Sequence, residues 1–263
     1  MAINRNLRGD LKRKLSNNNL TLGSWLTINH QSVIEIMATA GFEWLCIDIE
    51  HSAISISDVL NLIGHIQGNG MQALVRVEEN NPVIIKRVMD AGADGVIIPM
   101  VNSVQDAKKA VSSVKYPSIG SRGVGLSRAQ NYGTGFSEYK EWLQNDAVII
   151  AQIEHINGVN ELSGILDVPG IDGIIVGPYD LSASMGYPGE FDRTDVVEAL
   201  KRINQICIEK DRPLGFHVIS SDHQKTLEKI NAGYTFLAVS LDFFFLGDSA
   251  RKEMEELRKA TKS

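Results

Sequence analysis

Short runs of apolar residues alternate along this chain with longer segments of helical spacing. The runs are rich in Val, Ile and Leu and are nearly continuously apolar, which is typical of parallel strands covered on both faces. Eight runs predict strands: LGSWLTI from Leu22, WLCIDI from Trp44, ALVRV from Ala73, DGVIIPM from Asp94, VIIAQIE from Val148, DGIIVGP from Asp172, PLGFHV from Pro213 and FLAVSLD from Phe236.

The segments between the runs predict helices. The segment 55–67 opens with the capping residues Ser55 and Asp58, and the segment 82–92 has Pro82 in its first turn and Gly92 at its end. Helices are predicted over residues 32–40, 55–67, 82–92, 103–114, 137–143, 158–166, 194–210, 222–231 and 248–259.

Repetition of a strand and a helix eight times predicts a single closed (β/α)8 TIM barrel, which needs ~250 residues. The chain has 263 residues, so one domain spans 1–263, with a short helical lead-in over about residues 1–20. A doubly wound open sheet is the alternative. It binds ligands at one glycine-rich turn, and the chain has no GxGxxG motif.

Two connections, residues 102–146 and 177–212, are longer than a simple barrel requires. Both leave the carboxyl ends of predicted strands, where barrel active sites are built, so both are predicted on the active face. The first holds the glycine-rich string SIGSRGVGLSRAQNYGTG. Its Arg122 and Arg128 are candidates for contact with an acidic substrate, and the simpler interpretation, favoured for Arg128, is a solvated loop side chain.

Composition excludes several classes of protein. The chain is 43% hydrophobic and carries a net charge of −6 from 26 basic and 32 acidic residues, which disfavours nucleic-acid binding and disorder. Cys46 and Cys207 lie far apart without metal-ligand spacing, which indicates reduced thiols and a cytoplasmic location. Residues 1–19 lack the apolar core of a secretory signal, and no stretch reaches the ~20 apolar residues that span a membrane.

Candidate chemistry lies where polar residues end the predicted strands, because those side chains meet at one rim of a barrel. The polar residues at these positions are Asp48, Glu50, His51, Arg76, Gln152, Glu154, Asp180 and Asp242.

Three of these positions have both a functional and a structural interpretation. Two carboxylates, Glu154 and Asp180, suit a divalent cation such as Mg²⁺ or Mn²⁺, or they serve as an ion-pair partner and a helix cap. His51 is either a general base oriented by Asp48 or a structural hydrogen-bonding residue, and the base is favoured.

Arg76 stands among apolar neighbours in the third predicted strand. An unpaired guanidinium there would cost several kcal/mol, so Arg76 is predicted to pair with an anionic group. A substrate carboxylate and the side chain of Glu50 are the two candidates.

Six ordered motifs together resemble the HpcH/HpaI aldolase family. They are DIEH at 48–51, LVRV at 74–77, DGVIIPMV at 94–101, GSRGVG at 120–125, AQIE at 151–154 and GPYDLSASMG at 177–186. The resemblance runs in register over nearly the whole chain. It implies a metal-dependent pyruvate aldolase on a (β/α)8 barrel that assembles as a homo-oligomer, a hexamer or another assembly built from dimers.

The resemblance also implies the roles of the catalytic residues. Glu154 and Asp180 would ligate the cation, which is Mg²⁺ or Mn²⁺, with Co²⁺ as a further candidate. Arg76 would contact the keto or enolate oxygen. His51, assisted by Asp48, would carry out acid–base chemistry.

Substrate contacts follow from the same resemblance. Gln152 would lie against bound pyruvate, and the backbone of Gly177, Pro178 and Tyr179 would receive the pyruvate carboxylate next to Asp180. The implied reaction is reversible cleavage of a 4-hydroxy-2-keto acid to pyruvate and an aldehyde. No lysine ends a predicted strand, which argues against an aldolase that forms a Schiff base.

Related enolate chemistry is the alternative on the same residues. It includes condensation of acetyl-CoA with oxaloacetate to citrate, cleavage of a citryl-type substrate and decarboxylation of oxaloacetate. A barrel that only binds an acidic metabolite is a further alternative, because fold does not fix function. Partners are therefore expected to be small keto acids and aldehydes, without nucleic acid or membrane.

Overall fold

The computed structural model describes residues 9–261, which form a closed barrel of eight parallel strands. Each strand pairs with the next one in chain order, and the last pairs with the first. The strands are β1 Thr21–Leu26, β2 Trp44–Asp48, β3 Gln72–Arg76, β4 Gly95–Ile98, β5 Val148–Ile153, β6 Gly173–Val176, β7 Leu214–Val218 and β8 Phe236–Leu241. The predicted barrel and all eight predicted strands are confirmed, and the doubly wound sheet is excluded.

Helices cover the outside of the barrel, and every predicted helix is present. The helices are α1 Asp10–Ser16, α2 Gln31–Thr39, α3 Ile56–Gly68, α4 Pro82–Ala91, α5 Val104–Val114, α6 Phe136–Asn145, α7 Ile156–Leu166, α8 Pro178–Ser184, α9 Thr194–Glu209, α10 His223–Asn231 and α11 Asp242–Ala260. Helix α1 falls within the predicted lead-in, and the part of that prediction on residues 1–8 lies outside the described residues.

Two helices differ from the prediction. Residues 178–184 form the short helix α8 where the sequence suggested a turn, and Pro178 in its first turn needs no amide hydrogen there. Helix α11 begins at Asp242, six residues before the predicted start at 248. The carboxylate of Asp242 accepts hydrogen bonds from the amides of Thr27 and Ile28, both at 2.7 Å. Asp242 therefore ties the end of β1 to α11 and is a structural residue.

The glycine-rich segment 118–135 lies at the opposite end of the barrel from the predicted active face. Arg122 is buried and pairs with Asp90 of α4 at 3.3 Å, and Arg128 donates to the carbonyl of Ala91 at 3.0 Å. Helices of this fold run antiparallel to the strands, so the end of α4 lies at the amino ends of the strands. The predictions of an active-face position for this segment and of a solvated Arg128 are wrong.

Large side chains fill the barrel interior at the amino-terminal end of the strands. Leu11 and Leu15 of α1 pack into the same buried cluster as Trp44 and Phe236, so α1 closes the amino-terminal end of the barrel. The rings of Trp44 and Phe236 stack with centroids 4.5 Å apart. Gly23 of β1 provides the space for this pair, because a Cβ at that position would lie 2.0 Å from the Trp44 ring.

Two further observations bear on the class of protein. No helix within residues 9–261 is both long and apolar enough to cross a membrane. Cys46 and Cys207 are buried free thiols, and burial raises the pKa of Cys207 to about 12.

Replacing Gly23 should destabilise the barrel. In Gly23→Ala the new methyl group overlaps a ring held on its other face by Phe236, so we expect a loss of ~1–3 kcal/mol in the free energy of unfolding. Urea denaturation measures it. Gly123→Ala is the control, because no heavy atom lies within 4 Å of the Cβ it adds. Equal stabilities of the two variants would contradict the overlap.

Candidate active site

Asp48 and Arg76 end two neighbouring strands and meet at the carboxyl end of the barrel. The two residues are register partners of β2 and β3, so both side chains point to the same side of the sheet. Arg76 Nε donates to Asp48 Oδ1 at 3.0 Å, and Arg76 Nη2 donates to Asp48 Oδ2 at 2.6 Å. This two-point geometry is the arrangement in which Arg and a carboxylate bind most strongly.

Arg76 has two further partners at the carboxyl end of the barrel, which we call the barrel mouth. Its guanidinium lies 4.4 Å from the centre of the Trp25 ring, and Nε lies 3.3 Å from Glu50 Oε2. Burial works against charge on both members of the Arg76–Asp48 pair, but the pairing outweighs it. The pKa of Asp48 is therefore lowered and that of Arg76 is raised. Arg76 thus pairs with anionic groups as predicted, but its closest partner is Asp48, which is not one of the two predicted candidates, and Glu50 is second.

Glu154 follows β5 and is almost completely buried, with 2% of its surface exposed. Oε1 accepts a hydrogen bond from the amide of Met100 at 2.7 Å, and Oε2 accepts one from the side chain of Gln152. Met100 adopts a left-handed conformation with φ of 52°, which is uncommon outside glycine. Burial raises the pKa of Glu154 and outweighs these hydrogen bonds.

Asp180 lies in the first turn of α8, on the connection that leaves β6. Its negative charge contributes to the raised pKa of Glu154, so the two carboxylates are electrostatic neighbours. Gly177, directly before α8, approaches Glu154 closely, since a Cβ there would lie 2.9 Å from Oε2. Pro178 is buried, whereas Tyr179 and Asp180 are exposed at the rim.

Four carboxylates face the same region. Burial, together with the negative charges of Glu154, Asp48 and Asp180, raises the pKa of Glu50 to about 7 against the opposing influence of Arg76. Arg76 offsets the negative charge of Asp48 and part of the negative charge of Glu50. No Lys, Arg or His side chain among residues 9–261 pairs with Glu154. The site therefore has an excess of negative charge that a cation would offset.

The residues present fit a divalent cation at Glu154 and Asp180. Carboxylate oxygens are the ligands that hard cations prefer, and Glu154 is buried without a positive partner in the described chain. Within residues 9–261, no cluster of three or more His, Cys, Asp or Glu side chains is close enough to hold a metal ion. Two protein ligands leave open positions that a chelating substrate and water would fill.

His51 lies at the outer rim of this site, with 61% of its side chain exposed. Its backbone amide donates to Asp48 Oδ1 at 3.2 Å, and its Nε2 lies 3.8 Å from Glu50 Oε2. Asp48 thus fixes the backbone that carries His51, while the carboxylate nearest to the imidazole is that of Glu50.

The sequence-based prediction omits two aromatic side chains of the barrel mouth, Trp25 and His217. The rings lie 5.2 Å apart, and Trp25 also contacts Arg76. Trp25 Nε1 and His217 Nε2 are buried without a hydrogen-bond partner among the described residues, as are Gln152 Oε1 and Glu50 Oε2. Strand alternation is the signal that finds His217, since Gly215 and His217 share the inward face of β7.

Known proteins resemble this chain over nearly its whole length. The family model described as HpcH/HpaI aldolase/citrate lyase matches residues 21–247. The 2-keto-3-deoxy-L-rhamnonate aldolase of Klebsiella pneumoniae subsp. pneumoniae is 34% identical over 91% of this chain and 90% of its own length. The 5-keto-4-deoxy-D-glucarate aldolase of Escherichia coli is 33% identical over 94% of this chain and 96% of its own.

A solved structure supports the same assignment. A HpcH/HpaI aldolase/citrate lyase family protein from Burkholderia cenocepacia superposes with a TM-score of 0.90 at 31% identity, covering 95% of this chain and 99% of that protein. The resemblance inferred from the six sequence motifs is thereby confirmed. The chain belongs to the HpcH/HpaI aldolase/citrate lyase family and is a carbon–carbon lyase of the aldolase type.

Proposed function

We propose that this enzyme reversibly cleaves a 4-hydroxy-2-keto acid to pyruvate and an aldehyde, with a divalent cation held by Glu154 and Asp180. The proposal rests on the buried carboxylate of Glu154, which pairs with no Lys, Arg or His side chain among residues 9–261 and lies beside Gly177 at the same end of the barrel as Arg76. The names of the aldolases that resemble the chain agree with a substrate that is a keto sugar acid.

The cation, Mg²⁺ or Mn²⁺ with Co²⁺ as a further candidate, supplies positive charge that polarises the keto group when it is bound. Arg76 provides a second, fixed positive charge for the keto oxygen, and its Nη1 donates no hydrogen bond among residues 9–261. The charge of Arg76 is held in place before the reaction, so it stabilises the negative charge that develops on the keto oxygen without reorganisation.

The remaining residues of the site orient the substrate and move a proton. The backbone of Gly177, Pro178 and Tyr179 would receive the substrate carboxylate next to Asp180, with the first-turn amides of Tyr179 and Asp180 as the donors, because Pro178 has no amide hydrogen. Gln152, whose side-chain amide donates to Glu154 Oε2, would lie against the bound keto acid, and its Oε1, which has no hydrogen-bond partner among residues 9–261, can accept from a hydroxyl group of the substrate. His51, at the open rim, removes the proton from the 4-hydroxyl group as the bond between carbons 3 and 4 breaks.

Homo-oligomerisation through the groove between α2 and α11 is part of the same proposal. The groove is lined by apolar side chains, and Ile36 and Leu246 are each 66% exposed there. A second copy of the chain is the occupant that would cover an apolar face on a compact barrel enzyme. The two buried free thiols, Cys46 and Cys207, support a cytoplasmic location.

Cleavage activity should require both the cation and the charge of Glu154. EDTA should abolish pyruvate release from 4-hydroxy-2-keto acids, and excess Mg²⁺ or Mn²⁺ should restore it. Glu154→Gln should lower kcat/KM by about 10²–10³-fold. The folded structure should tolerate this variant. If the side-chain amide of Gln152 rotates by 180°, its Oε1, which has no hydrogen-bond partner among residues 9–261, can accept from the side-chain amide that the variant introduces at position 154.

Glu161→Gln is the matched control for this experiment, because Glu161 is exposed on α7, the helix that follows Glu154 in the chain. It should leave kcat/KM unchanged. Full activity in EDTA, or in Glu154→Gln, would overturn the cation site. Thiol release from acetyl-CoA with oxaloacetate, in the absence of aldol cleavage, would replace the aldolase with the condensing reaction.

Loss of the His51 side chain should affect turnover and not binding. We expect His51→Ala to lower kcat by about 10²–10⁴-fold. Calorimetry should show an unchanged Kd for pyruvate, since the imidazole lies at the rim. His223→Ala removes another exposed histidine and should have no effect on either quantity. Equal kcat values for His51→Ala and the unmodified enzyme would exclude His51 as the base.

Light scattering should give a mass that is a multiple of the 28.9 kDa chain. Leu246→Asp should reduce that mass by charging the groove between α2 and α11, whereas Leu227→Asp, on the exposed face of α10, should not. A monomeric mass for the unmodified chain would contradict the oligomer.

A further inference from the structure

His217 is a polar side chain on the inward face of β7, close to the carboxyl end of the barrel. Ile219, two residues on, packs against the interior cluster, whereas Phe216 and Val218 belong to the core between strands and helices. The Nε2 atom of His217 is buried and has no hydrogen-bond partner among residues 9–261. A buried polar atom without a hydrogen-bond partner costs ~1–3 kcal/mol. The stability of the free enzyme therefore gives no reason for a histidine at this position.

The neighbours of His217 place it in the half of the site that holds the keto acid. The register Val176↔Phe216 sets His217 beside Gly177, the residue that approaches Glu154 Oε2. On the other side, His217 pairs with Ala238, which has a small side chain. Beyond β8, on β1, the ring of Trp25 lies 5.2 Å from that of His217 and also contacts the guanidinium of Arg76.

The imidazole of His217 is neutral in the folded protein. Burial and then the positive charge of Arg76 lower its pKa to about 3, against a smaller opposite influence of Asp48. A neutral imidazole offers one donor and one acceptor and no charge for an ionic partner. A hydroxyl group suits it in either tautomer, because a hydroxyl both donates and accepts. Trp25 Nε1 is a second buried donor without a hydrogen-bond partner among residues 9–261, and it belongs to the ring in contact with His217.

We propose that His217 is a specificity residue whose buried Nε2 forms a hydrogen bond with a hydroxyl group on carbon 3 of the keto-acid unit. In the proposed function, on which this inference rests, the carboxylate and keto group of that unit lie against Gly177, Glu154 and Arg76. Carbon 3 is then the only carbon of a three-carbon keto acid that can carry a substituent toward β7. The enzyme accepts pyruvate, but it prefers a 3-hydroxy-2-keto acid such as 3-hydroxypyruvate in the direction of synthesis.

The selectivity arises because the site leaves a buried polar atom unpaired when carbon 3 is a methyl group. An analogue that lacks a hydroxyl which the protein is built to bind is rejected more strongly than one that differs by a methylene in an apolar pocket. The aldehyde half approaches from the open rim, where His51 and Tyr179 are exposed, and so does not reach the buried Nε2.

Calorimetry of the full-length enzyme with Mg²⁺ tests the inference through the Kd values of pyruvate and 3-hydroxypyruvate. We expect tighter binding of 3-hydroxypyruvate to the unmodified enzyme. His217→Leu should raise the Kd of 3-hydroxypyruvate by about 5- to 150-fold and leave that of pyruvate unchanged or lower. His217→Asn, which keeps a donor and an acceptor, should recover part of the preference. His65→Leu, on α3 outside the barrel, should change neither constant.

The ratio of kcat/KM for the two keto acids with one fixed aldehyde should shift in the same direction as the Kd ratio. An equal Kd for the two keto acids, or a ratio that His217→Leu leaves unchanged, overturns the role of His217. Failure of the proposed function has a different signature. In that case no aldehyde gives a product with either keto acid, while the ratio of Kd values still depends on His217.

Discussion

The buried charge of Arg76 is the constraint on which the rest of the site depends. Its guanidinium lies in the mouth of an apolar barrel, where an unpaired positive charge would be costly. Asp48 binds it at two points, Glu50 lies close to it, and the Trp25 ring contacts it. This group fixes the position of a positive charge in a site that also contains carboxylates.

The pairing of Arg76 divides the carboxylates into two kinds. Asp48 is held ionised by its hydrogen bonds to Arg76 and to the amides of Glu50 and His51, so it is a poor proton acceptor. Glu154 accepts hydrogen bonds from Met100 and Gln152 but has no Lys, Arg or His partner in the described chain, and burial raises its pKa. Residues of the same type therefore have different chemistry because their environments differ, as is common in active sites.

Secondary structure carries these side chains to one place. Asp48 and Arg76 end adjacent strands, Glu154 follows β5, and Asp180 begins a short helix directly after β6. The parallel strands all end at the same rim, so residues more than a hundred positions apart share one mouth. The large aromatic pair at the other end of the barrel and the packing of α1 keep that mouth separate from the amino-terminal side.

The sequence by itself determined the barrel, its eight strands and most of the residues of its mouth. A nearly continuous apolar run indicates a strand that is buried on both faces, and a polar residue that ends such a run is expected at the rim of the barrel. Only the tertiary structure decided that Arg76 pairs with Asp48 more closely than with Glu50, and that residues 118–135 lie away from the site. It also brought Trp25 and His217 to the mouth. These outcomes depend on contacts between residues distant in the chain, which local patterns of polarity do not encode.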